Sequence, residues 1–118
     1  MKPSIYQLES VRNNYLFLFK NKVRVHLSEI ILLEAETNYT HLHLQSGKKI
    51  TIARTLKAFE GILVNHNFHR IHQAFLINGT HLKSYNLVLG EALMTNDYRV
   101  TASRRRKVAF EGLINLTI

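Results

Sequence analysis

The sequence has no cysteine, a single proline and a single aspartate in 118 residues, and each shortage closes a class of explanation. Without cysteine there is no disulfide framework, no thiol nucleophile and no thiolate metal site, a composition compatible with a reducing cytoplasm, where the chain is expected to work. Long apolar runs are missing too. The N-terminal residues Met1 to Ser10 are polar and include Pro3, and the run that follows, Tyr15 to Phe19, is too short for a signal-peptide core or a membrane span. The lone aspartate, Asp97, follows Asn96 and reads as a turn residue, so Glu34 and Glu36 are the only closely spaced carboxylates. No nucleophile elbow, phosphate-cradling glycine loop or zinc-protease motif is present. An enzyme is therefore not expected, and neither is a cofactor.

What the chain has in excess is positive charge. Sixteen Lys and Arg face eight Asp and Glu, giving a formal charge of +8 and a pI near 10.1. Such a surface suits a polyanionic partner, although a basic balance alone also serves solubility, so position has to decide. A hydrophobic fraction of 46% and the length of one ordinary domain predict a self-sufficient core. Residues 1–14 are expected to be an extension or linker and residues 15–118 the domain.

Apolar alternation predicts a mainly β protein of small sheets with one short internal helix and one C-terminal helix. Tyr15 to Lys20 and Val23 to Leu27 read as two strands joined at Asn21-Lys22, and Ile30 to Glu34 as a third. From Asn38 to Leu44, Tyr39, His41 and His43 fall on one face and Thr40, Leu42 and Leu44 on the other, and Ser46-Gly47 turns the chain into Ile50 and Ile52. Leu56, Phe59 and Leu63 have helical spacing, with an end expected near Asn65. Phe68 to Gln73 reads as a short extended piece, and Phe75-Leu76-Ile77 as a loop-like crossing of the core. Strands follow around His81 to Tyr85, Glu91 to Thr95 and Tyr98 to Ala102, and Ser103 is placed to cap a helix in which Phe110 and Ile114 share a face.

The feature with most chemical content is Ser103-Arg104-Arg105-Arg106-Lys107. Four cations in a helix's first turn oppose its dipole, each by about 0.3–1 kcal/mol when exposed. The cost is offset if an anion docks there, because free N–H groups and guanidinium forks both bind phosphate. A solvated basic face is the plain alternative. Lys48, Lys49, Arg54 and Lys57 form a weaker basic set. The seven histidines include His41 and His43 on one strand face and His66, His69 and His72 at intervals of three, but no carboxylate lies between Glu60 and Glu91 to complete a metal site. They are read as hydrogen-bonding or phosphate-contacting groups, with no metal.

Three segments occur in a telling order: Leu33-Glu34-Ala35-Glu36-Thr37-Asn38-Tyr39-Thr40, then Phe68-His69-Arg70-Ile71-His72-Gln73 running on to Asn78, then Val100-Thr101-Ala102-Ser103-Arg104. In this order and spacing the chain, over roughly residues 15 to 115, resembles the LytTR family of bacterial DNA-binding domains. The resemblance implies a mainly β sandwich that enters successive major grooves with loops, and it implies roles. Thr40, Gln73 and Arg104 would read bases, while Asn38, Tyr39, His41, Arg70, His72, Ser103, Arg105, Arg106 and Lys107 would contact the backbone or support the loops. The residue types suit those tasks, since Gln presents a donor and an acceptor to adenine, Arg a fork to guanine, and Thr a hydroxyl or a methyl. Gln73-Ala74 departs from the Arg, Lys or Asn with Ser more usual in the family, and Gly79-Thr80 is also less familiar.

The resemblance further implies a transcription regulator, with duplex DNA as partner, repeated half-sites, a possible homodimer on DNA, and a receiver or sensor domain if the chain belongs to a longer two-component response regulator. An RNA-binding β-module, with Tyr39, Tyr85 and Tyr98 as its stacking platform, and a basic protein-interaction domain remain the alternatives.

Overall fold

The computed structural model describes residues 9–116. Eleven strands form three antiparallel sheets among the described residues. The N-terminal sheet has the order β1 (Ser10–Arg12), β2 (Tyr15–Leu18), β3 (Val23–His26). The central sheet uses β4 (Ile30–Glu36), β5 (Tyr39–Leu44), β6 (Lys49–Ile52), β7 (Phe68–His72) and β8 (Phe75–Asn78) in the order β6-β5-β4-β8-β7. The C-terminal sheet has the order β11 (Arg99–Thr101), β10 (Glu91–Met94), β9 (Leu82–Asn86). Helix α1 (Leu56–Leu63) joins β6 to β7, and α2 (Arg104–Leu116) closes the chain.

The middle position of β4 follows from its composition. Ile30, Ile31, Leu32 and Leu33 are four consecutive buried residues, so both faces of the strand need cover. Ile30 and Leu33 join one cluster with Leu16 and Leu18 of β2 and with Leu56, Phe59 and Leu63 of α1. Ile31 and Leu32 join a second with Ala92, Met94, Val100 and Phe110. The central sheet is thus sandwiched between β1–β3 with α1 and β9–β11 with α2.

Two expectations change. Phe75 to Asn78, read as a loop-like crossing, is the strand lying between β4 and β7, paired through Leu32 with Ile77 and Leu33 with Leu76. The hairpin that makes it was hidden because its turn, Gln73-Ala74, lacks Gly and Asn, and because the register shifts between Arg70 and His72, breaking the alternation. Ser10 to Arg12, assigned to the N-terminal extension, instead pairs with Tyr15 to Phe17 as β1. The two residues between, Asn13 and Asn14, take left-handed φ of 53° and 66°, as a tight primed hairpin turn needs. Residues 1–8 lie outside the described chain. No helix among the described residues is long and apolar enough to cross a membrane.

Polar groups buried at the seams fix the layers. The Asn78 amide, 2% exposed, donates to the carbonyls of Leu27 at 3.1 Å and Ile30 at 2.8 Å and accepts from the Thr80 N–H, locking the end of β8 to the entry of β4. Next to it, Gly79 lies so close to Asn67 that a Cβ would sit 2.5 Å from the amide oxygen. His81 joins the Thr95 hydroxyl at 2.8 Å to the Ser28 carbonyl at 2.5 Å. Asn78→Ala strands two carbonyls in the core and is expected to cost about 2–3 kcal/mol. Urea denaturation should show the midpoint falling at unchanged slope.

Candidate nucleic-acid interface

The antiparallel order brings several chain reversals to one end of the central sheet. There β4 turns into β5 through Thr37-Asn38, β7 turns into β8 through Gln73-Ala74, and β6 leaves toward α1 through Ala53, Arg54 and Thr55. Two backbone hydrogen bonds align them. The Ala35 N–H donates to the Ala74 carbonyl at 2.8 Å, and the Ser103 N–H to the Ile71 carbonyl at 2.7 Å, which puts the first turn of α2 beside the β7–β8 hairpin. The three segments that carried the resemblance therefore meet along one edge, although fifty-nine residues, 41–99, separate the first from the last. The weaker basic set divides: Lys48 and Lys49 lie beyond the β5–β6 turn at the opposite end, while Arg54 and Lys57 lie at this one.

The first turn is internally braced. Thr37 has a left-handed φ of 52°, uncommon for a β-branched residue, and its hydroxyl donates to the Glu36 carbonyl at 2.6 Å. Asn38 and Tyr39 are exposed. Behind them, the His41 ring joins Glu36 at 2.5 Å through Nε2 to the Thr51 hydroxyl at 2.7 Å through Nδ1, and His43 pairs with Glu34 at 2.9 Å. The close carboxylates thus face histidines diagonally across β4 and β5. His41, only 9% exposed, is a support for the turn.

Thr40 does not occupy the place the resemblance gave it. Its side chain is fully buried and its hydroxyl donates to the Arg54 carbonyl at 2.6 Å, so it cannot touch a base in this fold. It ties the β4–β5 turn to the segment entering α1. The groups this turn offers to solvent are Thr37, Asn38 and Tyr39, beside the exposed Glu36 carboxylate that His41 holds.

In the second turn Gln73 is exposed at the tip, and Arg70 is the brace beneath it. The guanidinium donates to the carbonyls of His72 (3.0 Å) and Gln73 and to the Glu60 carboxylate on α1 (2.8 Å), at 11% side-chain exposure. All three bonds point inward, which makes Arg70 a support and leaves it little to offer a phosphate. His72 accepts from the Ala74 N–H at 3.0 Å, closing the turn.

The third segment begins α2. The Ser103 hydroxyl accepts from the Arg106 N–H at 3.3 Å as a cap, and the four cations do fall in the first turn. Arg104 and Arg105 are exposed, whereas the Arg106 guanidinium leans to 3.8 Å from Glu60 and Lys107 packs over Gly90. Glu60 thereby couples Arg70 and Arg106, and with them β7 and α2. Beside this turn the β9–β10 hairpin holds Leu87, Val88 and Leu89 in solvent, Val88 at 88% exposure, with the Asn86 side chain accepting from two of their N–H groups. Sequence reading passed over this apolar tip, whose only signal was three apolar residues between Asn86 and Gly90.

Two further histidines serve the fold: His26 bonds to Ser28, and His69 bonds to Asn67 with its ring on Phe110. Among the described residues no three His, Asp or Glu converge as a metal site would require. Of the proposed stacking tyrosines, Tyr85 donates to Glu111 at 2.5 Å and packs on Phe110, and Tyr98 packs on His43, leaving Tyr39 alone at 49% exposure. Burial, followed by the Glu111 carboxylate, pushes the Tyr85 phenol upward, so it stays a donor.

Comparison with known proteins places this geometry. The family model described as the LytTr DNA-binding domain matches residues 20–115. The fold is similar to the solved LytTr DNA-binding domain of a Bacillus cereus protein described as a methyl-accepting/DNA response regulator, at a TM-score of 0.70 and 23% identity, covering 90% of this chain and 94% of that one. No curated protein sequence matches the chain.

Electrostatics of the first turn give a test. The hydrogen bond from His41, then its charge, holds the Glu36 carboxyl below its ordinary 4.5. A depressed folded-state value means that the ionised Glu36 carboxylate supports the turn above the ordinary carboxylate range and that this support is lost as pH falls through the lower value. Carboxyl-carbon NMR should find Glu36 titrating below 4.5 and moving back toward it in His41→Phe. A midpoint indifferent to that substitution would remove the pair from the turn's support.

Proposed function

The chain belongs to the LytTR family of DNA-binding domains, and we propose that it is the output domain of a bacterial transcriptional regulator that reads duplex DNA by inserting turns into the major groove. The observation that carries this reading is the alignment of three polar and basic turns along one sheet edge, by the bonds from Ala35 to Ala74 and from Ser103 to Ile71. Helix α2 starts at that edge, where the Ser103 N–H meets the Ile71 carbonyl, so the exposed groups there are Arg104 and Arg105 of its first turn beside the two hairpin turns. A rigid array of turns fits successive stretches of groove better than it fits a single one, and engaging it along a duplex favours bending.

In this reading Gln73 and Arg104 are the base readers, and Asn38 with Tyr39 takes the place first given to Thr40. An exposed asparagine offers adenine the same donor and acceptor pair as glutamine. Arg105 and Lys57 supply phosphate contacts, and Arg70, His41, His72 and Ser103 hold the readers in place. The domain has no catalytic role. Upstream of it a receiver or sensor domain would set its activity, as expected for a two-component response regulator, and two copies on repeated half-sites would supply the affinity that one small interface lacks. Such a regulator works in the cytoplasm. The scattered placement of Tyr39, Tyr85 and Tyr98 argues against a stacking platform for single-stranded RNA.

Selection from random duplexes with the purified domain, followed by titration of the enriched site at two salt concentrations, tests the reading. A repeated motif with steep salt dependence supports it, and salt-sensitive binding without any motif rejects sequence reading. On the enriched site, Arg104→Ala and Gln73→Ala should each cost about 1–3 kcal/mol and relax preference at one position. Equal weakening on every sequence would reduce the residue to a backbone contact.

A further inference from the structure

Four of the cations that the three turns leave unused lie together. Residues 10–28 contain Arg12, Lys20, Lys22 and Arg24 and no Asp or Glu, so half of the formal +8 sits on the N-terminal sheet. Elsewhere arginines are mostly matched: Arg54 with Glu9, Arg70 and Arg106 with Glu60, Arg99 with Glu91. Among the described residues none of the four on this sheet meets a carboxylate. Arg12 and Arg24 share its outer side, because Leu16, Leu18 and Val25 face the core and the two arginines stand on the opposite face with Tyr15 and Phe17, while Lys20 and Lys22 stand in the β2–β3 turn at its end.

The sheet also fixes these groups. The Arg12 guanidinium stacks 3.9 Å from the Phe17 ring centre and donates to the Asn21 side chain at 3.3 Å, and that of Arg24 lies 4.7 Å from Tyr15. Both are flattened on aromatic rings, with most of their N–H groups still free. The β2–β3 turn runs through three left-handed residues in succession, Phe19, Lys20 and Asn21, at φ of 51°, 56° and 70°. None is glycine. Backbone held in so sparsely populated a region is found most often where a chain presents something, and here it presents Lys20, Lys22 and the exposed ring of Phe19. The turn flanks Ala53 and the ion pair of Arg54 with Glu9 across a shallow hollow, at the sheet end where the three turns meet.

Resting on the duplex-binding reading, we propose that the N-terminal sheet is a separate phosphate-binding surface, by which the domain grips the DNA backbone outside the stretch read by the three turns. Lys20 and Lys22 meet phosphates from the hairpin tip, and Arg24 and Arg12 follow along the outer face. Guanidinium groups already seated on rings are poorly placed to enter a groove, so this surface adds affinity and salt dependence without adding sequence preference.

The test uses the purified chain and its selected site in two duplexes, one ending at the motif and one extended on both sides by about one helical turn, roughly 10 base pairs. Lys20→Gln with Lys22→Gln should lower the slope of log affinity against log salt by about 1.8 on the long duplex, and Arg24→Gln by about 0.9, with the short duplex and the base preference unchanged. Ethylation interference should lose flanking phosphates in the same variants. An unchanged slope on the long duplex with both variants, or an equal drop on both duplexes, overturns the separate surface while leaving the regulator reading intact. Failure of the wild-type chain to bind any duplex at low salt overturns both.

Discussion

Strand β4 brings apolar side chains to both faces of one sheet, and no single layer can cover it. Ile30 and Leu33 need cover on one side, Ile31 and Leu32 on the other, and the chain meets both needs by folding its two ends outward. The residues before β4 form the sheet over one face and those after β8 form the sheet over the other, each assisted by a helix. A strand buried on both sides must be flanked by partners on both edges, which is why β5 and β8 pair with it at once. The crossing from β6 to β7 is made by α1, and this path delivers three turns to one end of the sheet.

Precision at that end comes from charge held by hydrogen bonds. The inward-pointing Arg70 satisfies two carbonyls of its own turn and reaches Glu60, which also faces Arg106, so a helix, a hairpin and the start of a second helix share one carboxylate. The pairs of His41 with Glu36 and of His43 with Glu34 do similar work beneath the neighbouring turn. The supporting groups are charged but largely matched. The exposed ones, Arg104 and Arg105, meet no carboxylate among the described residues, which concentrates positive potential where a phosphate would arrive.

Much of this was legible in the residues, and the failures are instructive. Helix α1 announced itself by Leu56, Phe59 and Leu63, and the structure adds its cap, the Thr55 hydroxyl, which accepts from the Ala58 N–H at 3.3 Å. The β4–β5 pair was visible as alternation. That same alternation put Thr40 on the face of Leu42 and Leu44, which is the core face, so the periodicity had already answered a question that the resemblance answered differently. Strand β8 was obscured by a hairpin without turn residues and by the bulge at Ile71. Strand β1 is three residues long, too short for a pattern, and is defined by its partner β2. Burial partners at long range, such as Glu60 for both Arg70 and Arg106, leave no mark in a linear sequence.

Scarce glycine has one further effect, which lies in the denatured chain. Asn13, Asn14, Asn21, Asn67 and Asn96 fill left-handed positions for which glycine is the usual choice. An asparagine tolerates that conformation through its short polar side chain, yet ranges over fewer backbone states than glycine when unfolded. Each such turn therefore loses less conformational entropy on folding, and the hairpins gain stability that no contact in the native structure would reveal.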